Sequence, residues 1–165
     1  MKEKLKSAHM VASIVYSEMS WAKRKQVGAV IIKDDRIISI GYNGTPEGWS
    51  NVCEDPITGK TIPEVSHAEH NAISKLAKND GGGKGAAIFI STSPCMQCAL
   101  DIADAGISSV YYEHVYRNAE GRVYTEGLEY LTKRGVETFQ LSIPQEVKDV
   151  LHKFFSAVLE QYRIN

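Results

Sequence analysis

The sequence predicts an α/β fold: one mixed five-stranded sheet with helices on both faces. Two β-branched runs separated by a short polar turn read as an opening hairpin. The later strands alternate with stretches of helical period. A hairpin followed by that alternation gives a mixed sheet whose helices cover both sides.

Each element follows from its own residues. Residues 5–19 place Leu5, Ala8, Met10, Val11, Ile14, Val15 and Met19 near a 3.6-residue period, a first helix. Residues 27–32 and 37–42 flank the polar turn Lys33-Asp34-Asp35-Arg36 and form the hairpin. From Asn43 to Ser66 the chain carries Gly44, Pro46, Gly48, Pro56, Gly59 and Pro63 with few periodic apolar residues. A loop this long inside a compact domain is usually functional. Residues 67–78 make a second helix, stopped by Asn79-Asp80-Gly81-Gly82-Gly83. Residues 87–90 form a short buried strand, 96–105 a helix ending near Gly106, and 109–113 a strand. Residues 126–134 are a helix ended by Gly135, and 136–141 the last strand. Pro144 opens a closing helix that runs through Tyr162.

The 165 residues, 43% hydrophobic and 24% charged, fit one globular domain over 1–165, not a disordered, collagen-like or coiled-coil chain. Lys+Arg 19 against Asp+Glu 20 argues against a strongly basic nucleic-acid module. No apolar run approaches the roughly 18 residues of a membrane span. Residues 1–20 are amphipathic without a signal-peptide core, so the expected location is cytoplasmic. Three cysteines, Cys53, Cys95 and Cys98, are too sparse for a disulfide framework.

The chemistry concentrates in two segments. Ser66-His67-Ala68-Glu69 opens the second helix, and Pro94-Cys95-Met96-Gln97-Cys98 opens the third. Cys95 and Cys98 on a first helical turn can reach one ion, and the helix N-terminus favours their thiolates. With His67 they make a one-nitrogen, two-sulfur set that suits tetrahedral zinc and leaves the fourth position to water. Glu69 then stands close enough to move that water's protons without ligating the metal. His-x-Glu followed by Pro-Cys-x-x-Cys is the signature of zinc nucleobase deaminases. Other readings stay open at this point. Ser66 and Glu69 also spell a capping box. The cysteine pair alone would suit redox use, and Cys53 or His70 could complete a structural zinc site. Gly59-Lys60-Thr61 is not a phosphate-binding loop, because Glu54 stands where that motif needs glycine.

Beyond these motifs the chain resembles the deoxycytidylate (dCMP) deaminases, particularly their compact phage and bacterial forms. The carriers are Gln26-Val27-Gly28-Ala29-Val30, Gly41-Tyr42-Asn43-Gly44-Thr45-Pro46-x-Gly48, His67-Ala68-Glu69-x-Asn71-Ala72-Ile73, Ser93-Pro94-Cys95-x-x-Cys98-Ala99 and Ala105-Gly106-Ile107. The resemblance implies a three-layer α/β/α cytidine-deaminase-like fold. It implies hydrolysis of dCMP to dUMP and ammonia, a supply of dUMP for dTMP synthesis, with one catalytic Zn2+ on His67, Cys95 and Cys98 and Glu69 as the proton carrier. Asn43, Ser93, Tyr116, Arg117 and Arg24 would bind substrate, with Lys25 an alternative phosphate partner. Many relatives are hexamers, activated by dCTP with Mg2+ and inhibited by dTTP; here the effector residues would be Tyr42, Asn43, Gly44 and Lys78. The expected partners are these nucleotides and further copies of the chain, with neither nucleic acid nor membrane, in the cytoplasm or in host cytoplasm for a viral protein. The rivals are a deaminase acting on RNA or single-stranded DNA, a nucleoside or free-base deaminase, and a non-catalytic zinc module.

Overall fold

The computed structural model describes residues 1–76, 82–118 and 120–162. Five helices and five strands follow in the order α1 (Glu3–Ser17), β1 (Gly28–Lys33), β2 (Arg36–Tyr42), α2 (Ala68–Leu76), β3 (Ala87–Thr92), α3 (Met96–Asp104), β4 (Ser109–His114), α4 (Glu126–Lys133), β5 (Glu137–Gln140) and α5 (Gln145–Tyr162). Every expected element is present, with ends moved by a few residues. β3 runs on to Thr92 because Ser91 and Thr92 stay buried in the sheet, and Ser91 accepts the Gly28 N–H. The last residues assigned to the second helix lie outside the described residues.

The sheet order is β2-β1-β3-β4-β5. β1 pairs antiparallel with both β2 and β3, whereas β3, β4 and β5 run parallel. The hairpin turns on Asp34 and Asp35, both at positive φ (51° and 57°), the backbone that a two-residue hairpin turn demands and that aspartate tolerates. Parallel pairing elsewhere follows from the helical crossovers α3 and α4, which return the chain to the same end of the sheet.

Strand alternation fills two cores. Ala29, Ile31, Ile88, Ile90 and Val110 face Ala68 and Ala72 of α2, Ala99 and Ile102 of α3, and Leu131 of α4. Val30, Ile32, Phe89 and Tyr111 face Met10 and Ile14 of α1, with Leu151 of α5 packed against them. On this second face the rings of Phe89 and Tyr111 stack at 4.5 Å, and those of Tyr111 and Phe139 at 5.0 Å. α5 is also tied by charge: the buried Glu113 carboxylate on β4 receives Lys148 Nζ at 2.8 Å. Among the described residues no helix is long and apolar enough to cross a membrane.

Candidate active site

The loop after β2 and the loop after β3 deliver the starts of α2 and α3 to one point. Close backbone approach makes this convergence fit. A β-carbon at Gly41 would stand 2.1 Å from the Ala68 carbonyl oxygen, so only glycine lets α2 lie this near β2. Gly127 plays the same part for α4, where a β-carbon would meet the Pro94 carbonyl oxygen at 2.4 Å. Cys95 is the N-cap of α3 and Cys98 lies in its first turn. His67 immediately precedes α2.

His67 Nδ1 lies 3.3 Å from Cys98 Sγ and 3.6 Å from Cys95 Sγ. Tetrahedral zinc with ordinary Zn–N and Zn–S bonds would separate nitrogen and sulfur by about 3.6 Å. The three donors also lie within 4.8 Å of one another, so the residues fit the ion. The donors proposed to close a structural site point elsewhere: Cys53 Sγ is 3.9 Å from the Asn51 carbonyl, and His70 Nδ1 is 3.2 Å from the Asp101 carboxylate.

The hydrogen bond from the Cys98 thiol holds the Cys95 thiol down to about 4, with His67 adding to the effect. Cys98 is driven upward by the same bond and by burial. The contact with Cys95 raises His67. Glu69 is 4% exposed, and burial pushes its carboxyl up to about 6. The capping box is not made in this fold, because the Ser66 N–H that Glu69 would accept goes to the Gly44 carbonyl at 2.9 Å. The Glu69 carboxylate instead meets its own main-chain N–H and the Cys98 thiol.

A cavity of about 540 Å³ opens over this group. It gathers Arg24, Lys25, Asn43, Ser93, Tyr116 and Arg117, the residues the sequence suggested for substrate, beside His67, Glu69 and Cys95. Glu69 and Ser93 are buried at its floor, while Arg24 and Arg117 are exposed at its rim. Asn43 accepts the Val27 N–H at 2.8 Å and donates to the Lys25 carbonyl at 2.9 Å, leaving one N–H and one lone pair for a ligand. Ser93 accepts the Tyr116 N–H at 2.8 Å. Burial lowers the Lys25 ammonium, which stands 5.0 Å above the Tyr116 ring. Tyr42 and Gly44 lie outside this lining: the Tyr42 carbonyl accepts Asn71 Nδ2, and Gly44 bridges to Ser66. Lys78 falls outside the described residues.

Among the polar residues of the cavity, Glu54, Thr61, Thr92 and Asn118 carry no sequence signal that singles them out for it. Asn118 is set by its own small turn, where its Oδ1 accepts the Arg122 N–H at 2.8 Å and Gly121 takes a φ of 80°. An Asn-x-x-Gly stretch was the only hint available.

Comparison with known proteins agrees with this geometry. Residues 3–114 match the family model described as the cytidine and deoxycytidylate deaminase zinc-binding region. Deoxycytidylate deaminase of Saccharomyces cerevisiae is 32% identical over 149 residues, 86% of this chain but only 46% of the yeast protein. The mouse (Mus musculus) deoxycytidylate deaminase is 32% identical over 151 residues, 86% of this chain and 82% of its own length. Among solved structures, the dCMP deaminase of cyanophage S-TIM5 in complex with dCMP and dUMP superposes with a TM-score of 0.79 at 39% identity, covering 86% of this chain and 99% of the phage chain. The fold is thus the three-layer, cytidine-deaminase-like arrangement. A match across the zinc donors, Glu69 and two thirds of the sequence makes this chain a member of the cytidine and deoxycytidylate deaminase zinc-binding family.

Proposed function

We propose that the protein hydrolyses dCMP to dUMP and ammonia. The observation that carries this reading is the single cavity in which a buried carboxylate and a zinc-fitting donor set share walls with Arg24, Lys25 and Arg117. Such a floor suits an amino-pyrimidine, and such a rim suits a 5′-phosphate dianion. The likeness to the phage dCMP deaminase and to the deoxycytidylate deaminases supports the same substrate.

His67, Cys95 and Cys98 would hold the zinc ion, which when bound would supply the Lewis acidity that makes water nucleophilic at neutral pH. Glu69 takes a proton from water as the oxygen adds to C4, and passes that proton to N3. It then carries the remaining hydroxyl proton to the exocyclic amine, the C4–N bond breaks, and ammonia leaves. Burial raises the Glu69 carboxyl above the ordinary carboxylate range, which favours its return to the protonated form between the two transfers. Asn43 spends its remaining polar capacity on the nucleotide. Tyr116, held by Ser93, lines the wall beside it.

The finer parts of the reading are one catalytic unit over 1–165, assembly as a homo-oligomer of hexamer type, activation by dCTP with Mg2+ and inhibition by dTTP around Tyr42, Asn43, Gly44 and Lys78. The test is ammonia release by zinc-loaded protein on dCMP, deoxycytidine, CMP and a cytosine-containing single strand, with each effector added separately. Turnover of dCMP is the expected outcome. Turnover of the strand alone would replace the reading with a nucleic-acid deaminase, and silence on all four would leave a non-catalytic zinc module.

A further inference from the structure

The long loop between β2 and α2 contains its own two-stranded turn over residues 53–62. Ile62 N–H donates to the Cys53 carbonyl at 3.0 Å, Asp55 N–H to the Lys60 carbonyl at 2.8 Å, and Glu54 and Thr61 bridge between them. The Asp55 carboxylate closes the tip by accepting the N–H groups of Ile57 and Thr58 and the Thr58 hydroxyl. The turn is therefore firm without outside help.

Across from it lies the segment 22–26, which belongs to no helix or strand yet carries Arg24 and Lys25 into the cavity. The main-chain N–H groups of Lys23 and Arg24 both donate to Glu54 Oε1, at 2.9 and 3.1 Å. Thr61, on the facing strand of the turn, accepts from the Arg24 guanidinium at 3.3 Å. Asn43 grips the same segment from the other side, through the Lys25 carbonyl and the Val27 N–H. An irregular stretch with two cavity-lining cations is thus clamped between one amide and one carboxylate. A charged acceptor for two N–H groups is a stronger anchor than a neutral one.

We infer that Glu54 is a positioning residue for recognition of the nucleotide's phosphate: by holding the Lys23 and Arg24 N–H groups it presets Arg24 and Lys25 at the rim without touching the base. The inference rests on dCMP being the substrate. Presetting removes the ordering entropy that binding would otherwise oppose, so its loss should fall on affinity for the phosphorylated ligand.

The experiment compares zinc-loaded wild type, Glu54→Ala and Glu54→Gln. It reads amide hydrogen exchange at Lys23 and Arg24, KM and kcat for dCMP, and inhibition by deoxycytidine, which lacks the phosphate. In Glu54→Ala the two amides should lose protection and KM for dCMP should rise roughly tenfold. The deoxycytidine inhibition constant should move far less, and kcat less than KM. Glu54→Gln keeps an acceptor oxygen and should restore most of both effects. Unchanged exchange at Lys23 and Arg24 in Glu54→Ala overturns the inference whatever the wild type does. Equal weakening of dCMP and deoxycytidine overturns it too. Wild-type protein inert on dCMP overturns the substrate reading instead, and the exchange comparison then decides the positioning by itself.

Discussion

Tyr116 hangs from Ser93: the tyrosine's main-chain N–H donates to the buried serine hydroxyl at 2.8 Å, and the Ser93 N–H donates to the His114 carbonyl at 2.7 Å. The residue after β3 thereby holds the loop after β4. Ser93→Ala leaves the Tyr116 N–H without its acceptor, a loss of about 1–3 kcal/mol where the group stays buried. The expected outcome is a drop of about tenfold in kcat/KM on dCMP with zinc content unchanged, read by steady-state kinetics and metal analysis. Full activity in the variant would separate Tyr116 placement from Ser93.

Glu69 lies outside the His67, Cys95 and Cys98 donor set. Glu69→Gln should therefore keep its zinc and lose activity by about 10²- to 10⁴-fold, the usual weight of a proton carrier. Loss of zinc in proportion to activity would instead make Glu69 a ligand.

Removing the metal exposes an asymmetric pair of thiols. Cys95 holds its thiolate down to about 4, whereas Cys98 is pushed upward and buried. Chelator-treated protein should react with iodoacetamide at Cys95 first at neutral pH, more slowly as the pH approaches 4, and zinc should protect it. Peptide mapping by mass spectrometry reads the site; preferential labelling of Cys98 would contradict this ordering of the two thiols.

Gly41→Ala tests the approach of α2 to β2. The added methyl group meets the Ala68 carbonyl oxygen, the Ala72 nitrogen and the Ala72 side chain. Overpacking of this kind costs about 1–3 kcal/mol, and Tm should fall by roughly 2–4 °C per kcal/mol in a chain of this size. Because the same helix start carries His67, zinc should also dissociate faster. Thermal melts and metal-release kinetics check both, and an unchanged Tm would refute the close packing.

His9 offers a pH test away from the cavity. Its Nε2 is buried with no hydrogen-bond partner among the described residues, and its ring lies 5.4 Å from that of Phe89. Burial lowers it below the ordinary 6.5, only partly opposed by Asp35. The unfolded chain takes up a proton near 6.5 that the folded chain refuses. Stability is then full above 6.5, declines as pH falls toward the lowered folded value, and levels off beneath it. His9→Phe should flatten that decline in urea midpoints measured from pH 7.5 to 5. Equal slopes in both proteins would assign the decline to another group.

How legible these features were in the sequence depends on how local their causes are. The zinc donors and Glu69 could be read because each pair sits within one helical turn, where spacing fixes geometry. The strands and helices could be read because burial imposes their period. Arg24, Asn43, Tyr116 and Arg117 came through resemblance, and the cavity unites them. Glu54 escaped because its partners Lys23 and Arg24 are some thirty positions away and are main-chain groups, which leave no mark in residue identity. The capping-box reading of Ser66 and Glu69 gave way for a similar reason: the long loop folds Gly44 back onto Ser66, a pairing that no local pattern announces.

The ion pair between Glu113 and Lys148 bears on how the protein can be trimmed. The family match ends at His114, one residue past Glu113, and the three zinc-fitting donors and Glu69 all precede that point, although Tyr116 and Arg117 of the cavity follow it. A fragment cut there would nevertheless keep the Glu113 carboxylate and lose the Lys148 ammonium that meets it, together with α4 and β5. Stranding one member of a buried pair costs about 3–5 kcal/mol, a large share of a small protein's margin. The end of the family-model match is thus not a place where the molecule can be divided. A minimal version of this scaffold has to carry α5 or exchange Glu113 for an apolar residue in the same step.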